Sequence, residues 1–429
     1  MQTLVVGVTG RAARFYGSRL SVPIEFWRTG REWSHRIVRQ RIVLVSNTGW
    51  NILNFRMNLV RALLERGCDV HAVGTPDGCD NKIREAGITW HDWSLTRRSI
   101  NPLSEFEAMR SLDAVYRKIK PDLVHHFTVK PVLYGTTVAR LRKIPAVVNS
   151  VTGLPYFLLS QSKSGVRGAA REAALKWYSW ALTGSDVCPM FQNPDDLDVI
   201  SSANFQVRRQ AVSTRGSGVD LSRFQVAADS PAAPDELVIT FVGRLIKEKG
   251  IFEFVDAARA VLARTKRPVR FIVCGNVDSG NRSAVPADIM NEWKSVSGLD
   301  FLGHVDDVAR VLGRSHLVVL PSYREGTPRA LLEAAACGLP IITTDVPGCR
   351  EVVVDNENGL LVPAQDSTAL AEAMIKLIGD WPQMRAFGRA GRLRVQSLFD
   401  ERLVIDATLN VYSRMLGTEL ETGRQAVAA

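Results

Sequence analysis

Short apolar segments alternate with helical stretches along this chain, and no other feature of the sequence constrains its fold as strongly. The first apolar segment covers residues 42–45, a helical pattern follows from about 54 to 66, and the next apolar segment covers residues 68–73. Two more follow at 122–125 and 146–150. Strands that alternate with helices form right-handed βαβ units around a parallel sheet. The sequence therefore predicts an α/β protein.

The alternation is interrupted once and then begins again. Residues 204–236 are rich in Gly, Ser, Pro and Ala, and apolar segments resume at 237–242. We therefore predict two Rossmann-like parallel-sheet domains that face each other across a cleft. The predicted segments are a basic extension over 1–40, a first domain over 41–212, a linker over 213–236, a second domain over 237–395, a C-terminal helix over 396–417 that packs back across the hinge, and a tail over 418–429.

The composition excludes several classes of protein. Hydrophobic residues make up 46% and charged residues 23% of the 429 positions, which excludes a disordered chain. No run reaches the roughly 18 mainly apolar residues of a membrane span. The six cysteines are scattered, without the spacing of a zinc site or a disulfide framework, so we expect a reducing compartment.

The formal net charge of +10 is unevenly distributed. Residues 1–39 carry seven Arg and two Glu, which is half of the excess. This segment lacks the apolar core and cleavage site of a secretory signal, so we interpret it as a basic extension or as the result of an early start site. A basic chain favours an anionic partner such as nucleic acid, a membrane surface or a phosphorylated substrate.

A loop followed by a helix in the second domain has the residues of a sugar and phosphate site. Residues 322–334 follow a predicted strand, beyond whose end an open α/β sheet binds ligands. Thr327 is a suitable N-cap and Pro328 a suitable first helical residue, so free backbone N–H groups there can bind phosphate. Glu325 and Glu333 can both accept hydrogen bonds from sugar or ribose hydroxyls. The alternative is that Glu325 only stabilises the helix N-terminus and Glu333 is solvated.

A basic loop opens the second domain. The strand over 237–242 is followed by Gly243, Arg244 and, five residues later, Lys249. A planar guanidinium and an ammonium can converge on one diphosphate from this loop. In isolation such a loop is more often surface than site, but the helix N-terminus predicted in the same domain favours binding.

Together these segments resemble the GT4 family of retaining nucleotide-sugar glycosyltransferases, which have the GT-B fold. The resemblance covers about residues 41–415 and rests on the E-x7-E pair, the loop at 243–250 and the run G-L-P-I-I at 338–342. It implies that the second domain binds a nucleotide sugar, with a UDP-sugar favoured, and that no cofactor is needed.

The resemblance also implies roles for single residues. Arg244 and Lys249 would contact the diphosphate, Glu325 the transferred sugar and Glu333 the ribose. The implied donor-binding set is Gly49, Gly243, Arg244, Lys249, Glu325, Gly326, Thr327, Pro328 and Glu333. The implied catalytic set is Glu325, His126, Arg244 and Lys249.

The first domain has fewer of the family's usual residues. Of a glycine-rich loop after the first strand, only Gly49 remains. Where many members have a His-x-His pair, this chain has His125 and His126 followed by Phe127. The resemblance makes His126 the candidate for contact with the transferred sugar. The alternative is a buried, satisfied pair of histidines.

Both departures resemble a bacterial subgroup that extends undecaprenyl-diphosphate-linked diacetylbacillosamine. The shared segments are N-T-x-W-N-x-x-N-F-R at 47–56, H-x-F-T-x-K-P at 125–131 and V-T-G-L at 151–154. This implies a polyprenyl-diphosphate-linked glycan acceptor, with Asn51 and Lys130 on the acceptor side, in the synthesis of surface polysaccharide or glycoprotein glycans.

A basic stripe in the first domain suits such an acceptor. Lys163, Arg167 and Arg171 are spaced four apart, so they share one face if the stretch is helical. Aromatic residues of the types favoured at membrane interfaces follow within 177–180. We expect a cytoplasmic, peripheral protein on the inner face of the cytoplasmic membrane, held by anionic headgroups. The alternative is an ordinary domain helix that buries its aromatic residues.

Other chemistries have weaker support. Asp196 and Asp198 have the spacing used by metal-dependent transferases, but they follow Pro194 at a predicted helix start. We interpret them as capping or surface charges and expect no metal. A rival enzyme class is a nucleotide-sugar epimerase of the same architecture, which needs additional acid and base carboxylates in the cleft. A rival from another class is a nucleic-acid-binding protein that uses the basic extension, but no base-stacking motif stands out.

Removal of residues 1–38 is expected to leave transfer to soluble acceptor analogues largely unchanged, because the regular α/β pattern begins only near Arg41. Steady-state kinetics of the truncated and full chains would measure this. A truncated chain that fails to fold would contradict the boundary, since the extension would then belong to the core.

Overall fold

Two parallel β-sheets organise the chain into two lobes. The computed structural model describes residues 39–96, 101–154, 158, 165–226, 233–278 and 280–420, with only the backbone of 165–167. The extension up to residue 38, Lys163, the Arg167 side chain and the tail from residue 421 lie outside the described residues.

The first lobe, residues 41–213, has a sheet in which all neighbouring strands are parallel. Its strands are β1 (Arg41–Val45), β2 (Asp69–Gly74), β3 (Thr89–Asp92), β4 (Leu123–Phe127), β5 (Ala146–Val151), β6 (Val187–Phe191) and β7 (Val212–Ser213). Its helices are α1 (Gly49–Phe55), α2 (Met57–Glu65), α3 (Asp80–Glu85), α4 (Pro102–Ile119), α5 (Val129–Leu141), α6 (Gly165–Ala181), α7 (Pro194–Ala203) and α8 (Phe205–Gln210). The strand order is β3-β2-β1-β4-β5-β6-β7.

The second lobe, residues 237–398, repeats this architecture. Its strands are β8 (Leu237–Val242), β9 (Val269–Cys274), β10 (Leu299–Gly303), β11 (Leu317–Leu320), β12 (Ile341–Thr344) and β13 (Gly359–Val362), in the order β10-β9-β8-β11-β12-β13. A 3₁₀ turn covers Lys247–Lys249. The helices are α9 (Ile251–Arg264), α10 (Ala287–Lys294), α11 (Val308–Leu312), α12 (Arg329–Ala336), α13 (Cys349–Val352), α14 (Ser367–Ile378) and α15 (Trp381–Leu398), and α16 (Glu401–Leu416) follows.

Helices cover both faces of each sheet, and this explains the continuous apolar runs in the sequence. Every residue of β4, β5 and β11 is buried. Parallel strands that are buried on both faces lose the alternation of polar and apolar residues. Ligands bind beyond the carboxyl ends of such strands, where the strand order reverses. These points lie between β1 and β4 in the first lobe and between β8 and β11 in the second.

The C-terminal segment is broken where one helix was predicted over 396–417. Phe399 and Asp400 separate α15 from α16. The break is stabilised because the Asp400 side chain accepts a hydrogen bond from the backbone N–H of Arg402 at 3.0 Å and so caps α16.

Helix α16 returns to the first lobe. Leu409, Val411 and Tyr412 are buried in an apolar cluster with residues of β1, β2 and β4. None of the helices in the described part of the chain is long and apolar enough to cross a membrane.

Candidate active site

The loop between β11 and α12 carries Glu325 and contacts the turn that carries Lys249. The Lys249 ammonium forms an ion pair with the Glu325 carboxylate, and Ser322 Oγ donates a hydrogen bond to the same carboxylate at 2.7 Å. Both ion-pair side chains are largely buried, with 22% of Lys249 and 12% of Glu325 exposed. The structure therefore brings together two of the residues predicted for the donor site.

Gly250 makes this contact possible. It ends the turn with a φ of 71°, and a Cβ at this position would lie 2.0 Å from the backbone oxygen of Pro321. Glycine alone tolerates this close approach together with the positive φ. Gly250 therefore holds the Lys249 turn against the strand end that leads into the Glu325 loop.

Arg244 lies on the loop after β8 but pairs with a different carboxylate. Its guanidinium lies 3.0 Å from a carboxylate oxygen of Asp278, and its side chain is 56% exposed. Gly243, just before it, donates a backbone hydrogen bond to the Cys274 oxygen at 2.9 Å, which continues the sheet. Asp278 was missed by the sequence reasoning, because nothing in its local sequence marks it as the partner of Arg244.

Helix α12 begins one residue later than predicted, and Thr327 is not its cap. Pro328 occupies the N-cap position without a side-chain cap hydrogen bond. The Thr327 hydroxyl instead donates to the backbone oxygen of Gln192 in the first lobe, at 3.3 Å. The hydroxyl thus joins the two lobes, and the first N–H groups of α12 are left without a side-chain cap.

Glu333 is buried in α12 and pairs with Arg329. Arg329 Nε donates to Glu333 Oε1 at 2.8 Å. Burial raises the pKa of Glu333, and the positive charge of Arg329 opposes this effect. Arg329 also donates to the backbone oxygen of Asn54 and lies 5.0 Å from the centre of the Phe55 ring. Arg329 therefore connects the second carboxylate of the E-x7-E pair to the first lobe. The spacing of four residues between Arg329 and Glu333 could have predicted their ion pair from the sequence.

A buried ion pair joins the Glu325 loop to the first lobe. The carboxylate of Asp196 is fully buried and accepts hydrogen bonds from Arg324, from Asn193 Nδ2 at 3.0 Å and from the backbone N–H of Leu154 at 3.3 Å. Asn193 Nδ2 also donates to the Gly326 oxygen at 3.1 Å. Because Asn193 caps α7, the interpretation of Asp196 as a capping or surface charge is wrong.

The approach of the lobes is close at Gly326, where a Cβ would lie 2.5 Å from the backbone oxygen of Thr152. The segment V-T-G-L at 151–154 therefore contacts the loop that carries Glu325. Asp198, in contrast, is exposed and pairs with Arg208. Within the described ranges, no group of three or more His, Cys, Asp or Glu residues could hold a metal ion.

The predicted first-lobe residues around α1 and α5 mainly serve local packing. A Cβ on Gly49 would lie 2.7 Å from a carboxylate oxygen of Asp77 and 3.2 Å from the Trp90 ring, so a side chain here would require these neighbours to move. Asn51 lies in the first turn of α1, and its Oδ1 is buried without a hydrogen-bond partner among the described residues. Lys130 donates to both carboxylate oxygens of Glu105, at 2.7 and 2.9 Å.

His126 lies in the core of the first lobe and not in the cleft. It is fully buried, its Nε2 is 2.8 Å from the Tyr116 hydroxyl, and its Nδ1 is 2.7 Å from Asn149 Oδ1. Both ring nitrogens are thus occupied by protein groups. This geometry is incompatible with the catalytic contact that the resemblance implied for His126.

His125 is buried on the opposite face of the same strand. Its Nδ1 is 2.6 Å from the Tyr412 hydroxyl and its Nε2 is 2.7 Å from Ser150 Oγ. The two histidines therefore form the buried, satisfied pair that was the alternative interpretation. Burial lowers the pKa of both, that of His126 to about 4.

The predicted membrane stripe is only partly described. Arg171 Nε donates to the backbone oxygen of Leu158 at 2.9 Å. Tyr178 is buried, whereas 37% of Trp177 and 42% of Trp180 are exposed. The helix thus buries one aromatic residue in the core and presents two at the surface.

Comparison with known proteins agrees with this architecture. A model of the family "Glycosyl transferase 4-like" matches residues 41–185, and a model of "Glycosyl transferases group 1" matches residues 223–394. The N,N'-diacetylbacillosaminyl-diphospho-undecaprenol alpha-1,3-N-acetylgalactosaminyltransferase of Campylobacter jejuni is 24% identical over 88% of this chain and 99% of its own. The capsular polysaccharide biosynthesis glycosyltransferase CapM of Staphylococcus aureus is 26% identical over 83% of this chain and 93% of its own.

A solved structure gives the same result for the fold. The crystal structure of HepE from Anabaena in complex with UDP and glucose superimposes with a TM-score of 0.70, at 15% identity, over 88% of this chain and all of that one. Two parallel-sheet lobes of this kind form the GT-B fold. The chain belongs to the group 1, GT4-like glycosyltransferases.

The buried histidines predict a specific pH dependence of stability. The pKa of each histidine is lowered on folding. Below a pH of about 6.5 the unfolded chain therefore binds more protons than the folded chain, and the free energy of unfolding decreases as the pH decreases. Each buried histidine contributes about 1.4 kcal/mol per pH unit in this range. In denaturant titrations between pH 6 and pH 4.5, the unfolding free energy of His126→Gln should change less steeply with pH, by the contribution of this one histidine. His304→Gln, at an exposed position, is the control, and an unchanged slope in His126→Gln would contradict a neutral His126.

The ion pair between the lobes predicts a second effect. Arg324→Met leaves the Asp196 carboxylate buried without its cation, and breaking such a pair costs about 3 to 5 kcal/mol of unfolding free energy. The double variant with Asp196→Asn should recover part of this loss. Arg350→Met removes the exposed ion pair with Asp195 at the same junction and should cost less than about 1 kcal/mol. Urea titrations that give equal losses for Arg324→Met and Arg350→Met would rule out a structural role for the buried pair.

Proposed function

We propose that this chain is a retaining glycosyltransferase that moves a hexose or N-acetylhexosamine from a nucleoside-diphosphate sugar to a polyprenyl-diphosphate-linked glycan. The reaction would take place at the inner face of the cytoplasmic membrane, in the synthesis of surface polysaccharide or glycoprotein glycans. The observation that carries this proposal is the contact of Glu325 with Lys249 beside the uncapped N-terminus of α12.

The donor belongs in the second lobe because that lobe provides carboxylates for hydroxyl groups and cations for phosphates. Lys249 has three N–H donors, and its ion pair with Glu325 leaves donors for phosphate oxygens. The first N–H groups of α12 add further donors and a favourable dipole. Arg244, more than half exposed, can exchange Asp278 for a phosphate group.

The two glutamates have different tasks in this proposal. Glu325 would contact the transferred sugar. Its ion-pair partner Lys249 would contact the diphosphate. Glu333, with its carboxylate already oriented by Arg329, would accept hydrogen bonds from the ribose hydroxyls. HepE of Anabaena binds UDP within the same fold, which supports a UDP-sugar as the donor.

The chemical step requires no enzymic nucleophile. Retaining transfer without a covalent intermediate passes through an oxocarbenium-like transition state, in which negative charge develops on the departing nucleoside diphosphate. Lys249, Arg244 and the start of α12 would stabilise that charge. His126 takes no part, since its ring is held in the core.

The acceptor is inferred from the relatives and from the surface of the first lobe. The Campylobacter jejuni relative acts on a diphospho-undecaprenol substrate according to its name. The exposed rings of Trp177 and Trp180, with the Arg140 guanidinium 4.2 Å from the centre of the Trp180 ring, supply the apolar and basic groups that suit a membrane interface. No contact in the described residues favours an epimerase or a nucleic-acid-binding protein.

The proposal predicts distinct kinetic effects for the two glutamates. Glu333→Gln should weaken donor binding, and Glu325→Gln should mainly lower turnover, because only Glu325 is expected to contact the reacting sugar. Each lost charged hydrogen bond should cost about 1.5 to 3 kcal/mol. Initial rates over a range of donor concentrations, with a lipid-diphosphate acceptor, separate the two effects.

Glu292→Gln is a suitable control, since Glu292 is 62% exposed and pairs with Arg259 on the outer surface of the second lobe. Kinetics close to those of the unsubstituted protein in both Glu325→Gln and Glu333→Gln would contradict the assignment of these two residues to the donor site.

A further inference from the structure

Four buried polar atoms without hydrogen-bond partners belong to residues at the ends of β1 and β4 or in and just after α1. They are Ser46 Oγ, Asn51 Oδ1, Arg56 Nε and Thr128 Oγ1, none of which has a hydrogen-bond partner among the described residues. Strands β1 and β4 are parallel neighbours, with Val45 opposite His126, and the strand order of the first sheet reverses between them. Open α/β sheets bind ligands at such a reversal.

Arg56 is the most unusual member of this group. Its residue is only 8% exposed, and its side chain has neither an ion pair nor a hydrogen bond within the described part of the chain. Its guanidinium carbon lies 4.1 Å from the centre of the Phe127 ring. Burial lowers the pKa of Arg56 to about 10; the neighbouring Tyr412 opposes this shift, and the charge of Arg329 adds to it.

An arrangement of this kind is costly without an anion. A buried charge without a counter-charge destabilises the fold, and a contact with the face of one aromatic ring offsets only part of that cost. The other largely buried cations of the cleft each have a carboxylate: Lys249 has Glu325, and Arg329 has Glu333. Arg56 has no carboxylate partner among the described residues, and the like charge of Arg329 lies within electrostatic range of it.

The chemistry of the group favours a phosphate ligand. A guanidinium offers parallel N–H donors that match phosphate oxygens, and the hydroxyls of Ser46 and Thr128 are additional donors. Ser46 is fully buried, and its hydroxyl has no hydrogen-bond partner among the described residues, so it could donate to a ligand.

We propose that Arg56, with Ser46 and Thr128, forms a diphosphate-binding site at the strand-order reversal of the first lobe, separate from the Arg244 and Lys249 loop of the second lobe. The inference rests on the proposed function, because that reaction brings two diphosphates to the cleft. One is the nucleoside diphosphate of the donor, and the other is the prenyl diphosphate of the acceptor.

The test uses the full chain and three probes: inorganic pyrophosphate, UDP and geranyl diphosphate. Arg56→Met removes the guanidinium but keeps an unbranched apolar side chain against Phe127. Arg61→Met is the matched control, since Arg61 is an exposed cation of α2 that donates a hydrogen bond to Asn58. Calorimetric titration should show pyrophosphate binding weakened by about tenfold or more in Arg56→Met, the effect of one lost charged contact, and unchanged in Arg61→Met.

The other two probes distinguish the sources of the diphosphate. Weaker binding of UDP alone assigns the site to the donor, and weaker binding of geranyl diphosphate alone assigns it to the acceptor. Each result supports the site. A folded Arg56→Met protein that binds all three probes like the unsubstituted chain overturns the inference while the proposed function stands.

Thermal unfolding separates a ligand site from a purely structural arginine. If Arg56 belongs to an anion site, Arg56→Met without ligand should be at least as stable as Arg61→Met. Pyrophosphate should then raise the melting temperature of Arg56→Met less than that of Arg61→Met. If Arg56→Met does not fold, Arg56→Lys keeps the charge but lacks the planar fork, and equal pyrophosphate affinity in that variant overturns the inference. Pyrophosphate binding that depends on Arg56 in a chain without acceptor-dependent transfer would refute the proposed function but not the anion site.

Discussion

The burial of the Asp196 carboxylate is the constraint on which the junction of the two lobes depends. A carboxylate with no exposure to water requires a cation and hydrogen-bond donors, and they come from Arg324, Asn193 and the backbone of Leu154. Arg324 immediately precedes Glu325, so the ion pair that holds the lobes together also fixes the loop that carries this glutamate. The close contact of Gly326 with Thr152 then follows from the same arrangement.

The cations of the cleft are matched to carboxylates, and this determines how an anionic ligand can bind. Lys249, Arg329 and Arg244 each have an acidic partner within the second lobe. A diphosphate therefore binds there by exchange of partners or through the remaining N–H donors, which keeps the cost of burying these cations low. Among the described residues, Arg56 in the first lobe has no carboxylate partner, and its guanidinium lies over the face of Phe127. The two lobes thus differ in whether the cations that could bind an anionic ligand already have a carboxylate partner.

The architecture and the main motif were readable because both depend on local pattern. Apolar runs of strand length, separated by helical stretches, predict the two parallel sheets, and the local sequence places Glu325 in the loop before one helix and Glu333 within that helix. The catalytic role implied for His126 was wrong because β4 is buried on both faces, so that adjacent residues of opposite orientation are both in the core. Asp196 was misjudged because its partner lies 128 positions away, a pairing that exists only after the lobes meet. Arg56 ends the shared segment at 47–56, but its lack of an ionic partner is a property of the fold that the local sequence does not show.

The most direct test of the account follows the fate of the donor. The chain would be incubated with a UDP-sugar, with and without a polyprenyl-diphosphate-linked glycan, and nucleoside diphosphate release and the anomeric configuration of the product would be measured by NMR. The account predicts release that depends on the acceptor, in proportion to the product, with the anomeric configuration of the donor retained. Conversion of the nucleotide sugar without any acceptor, or a product of inverted configuration, would contradict it.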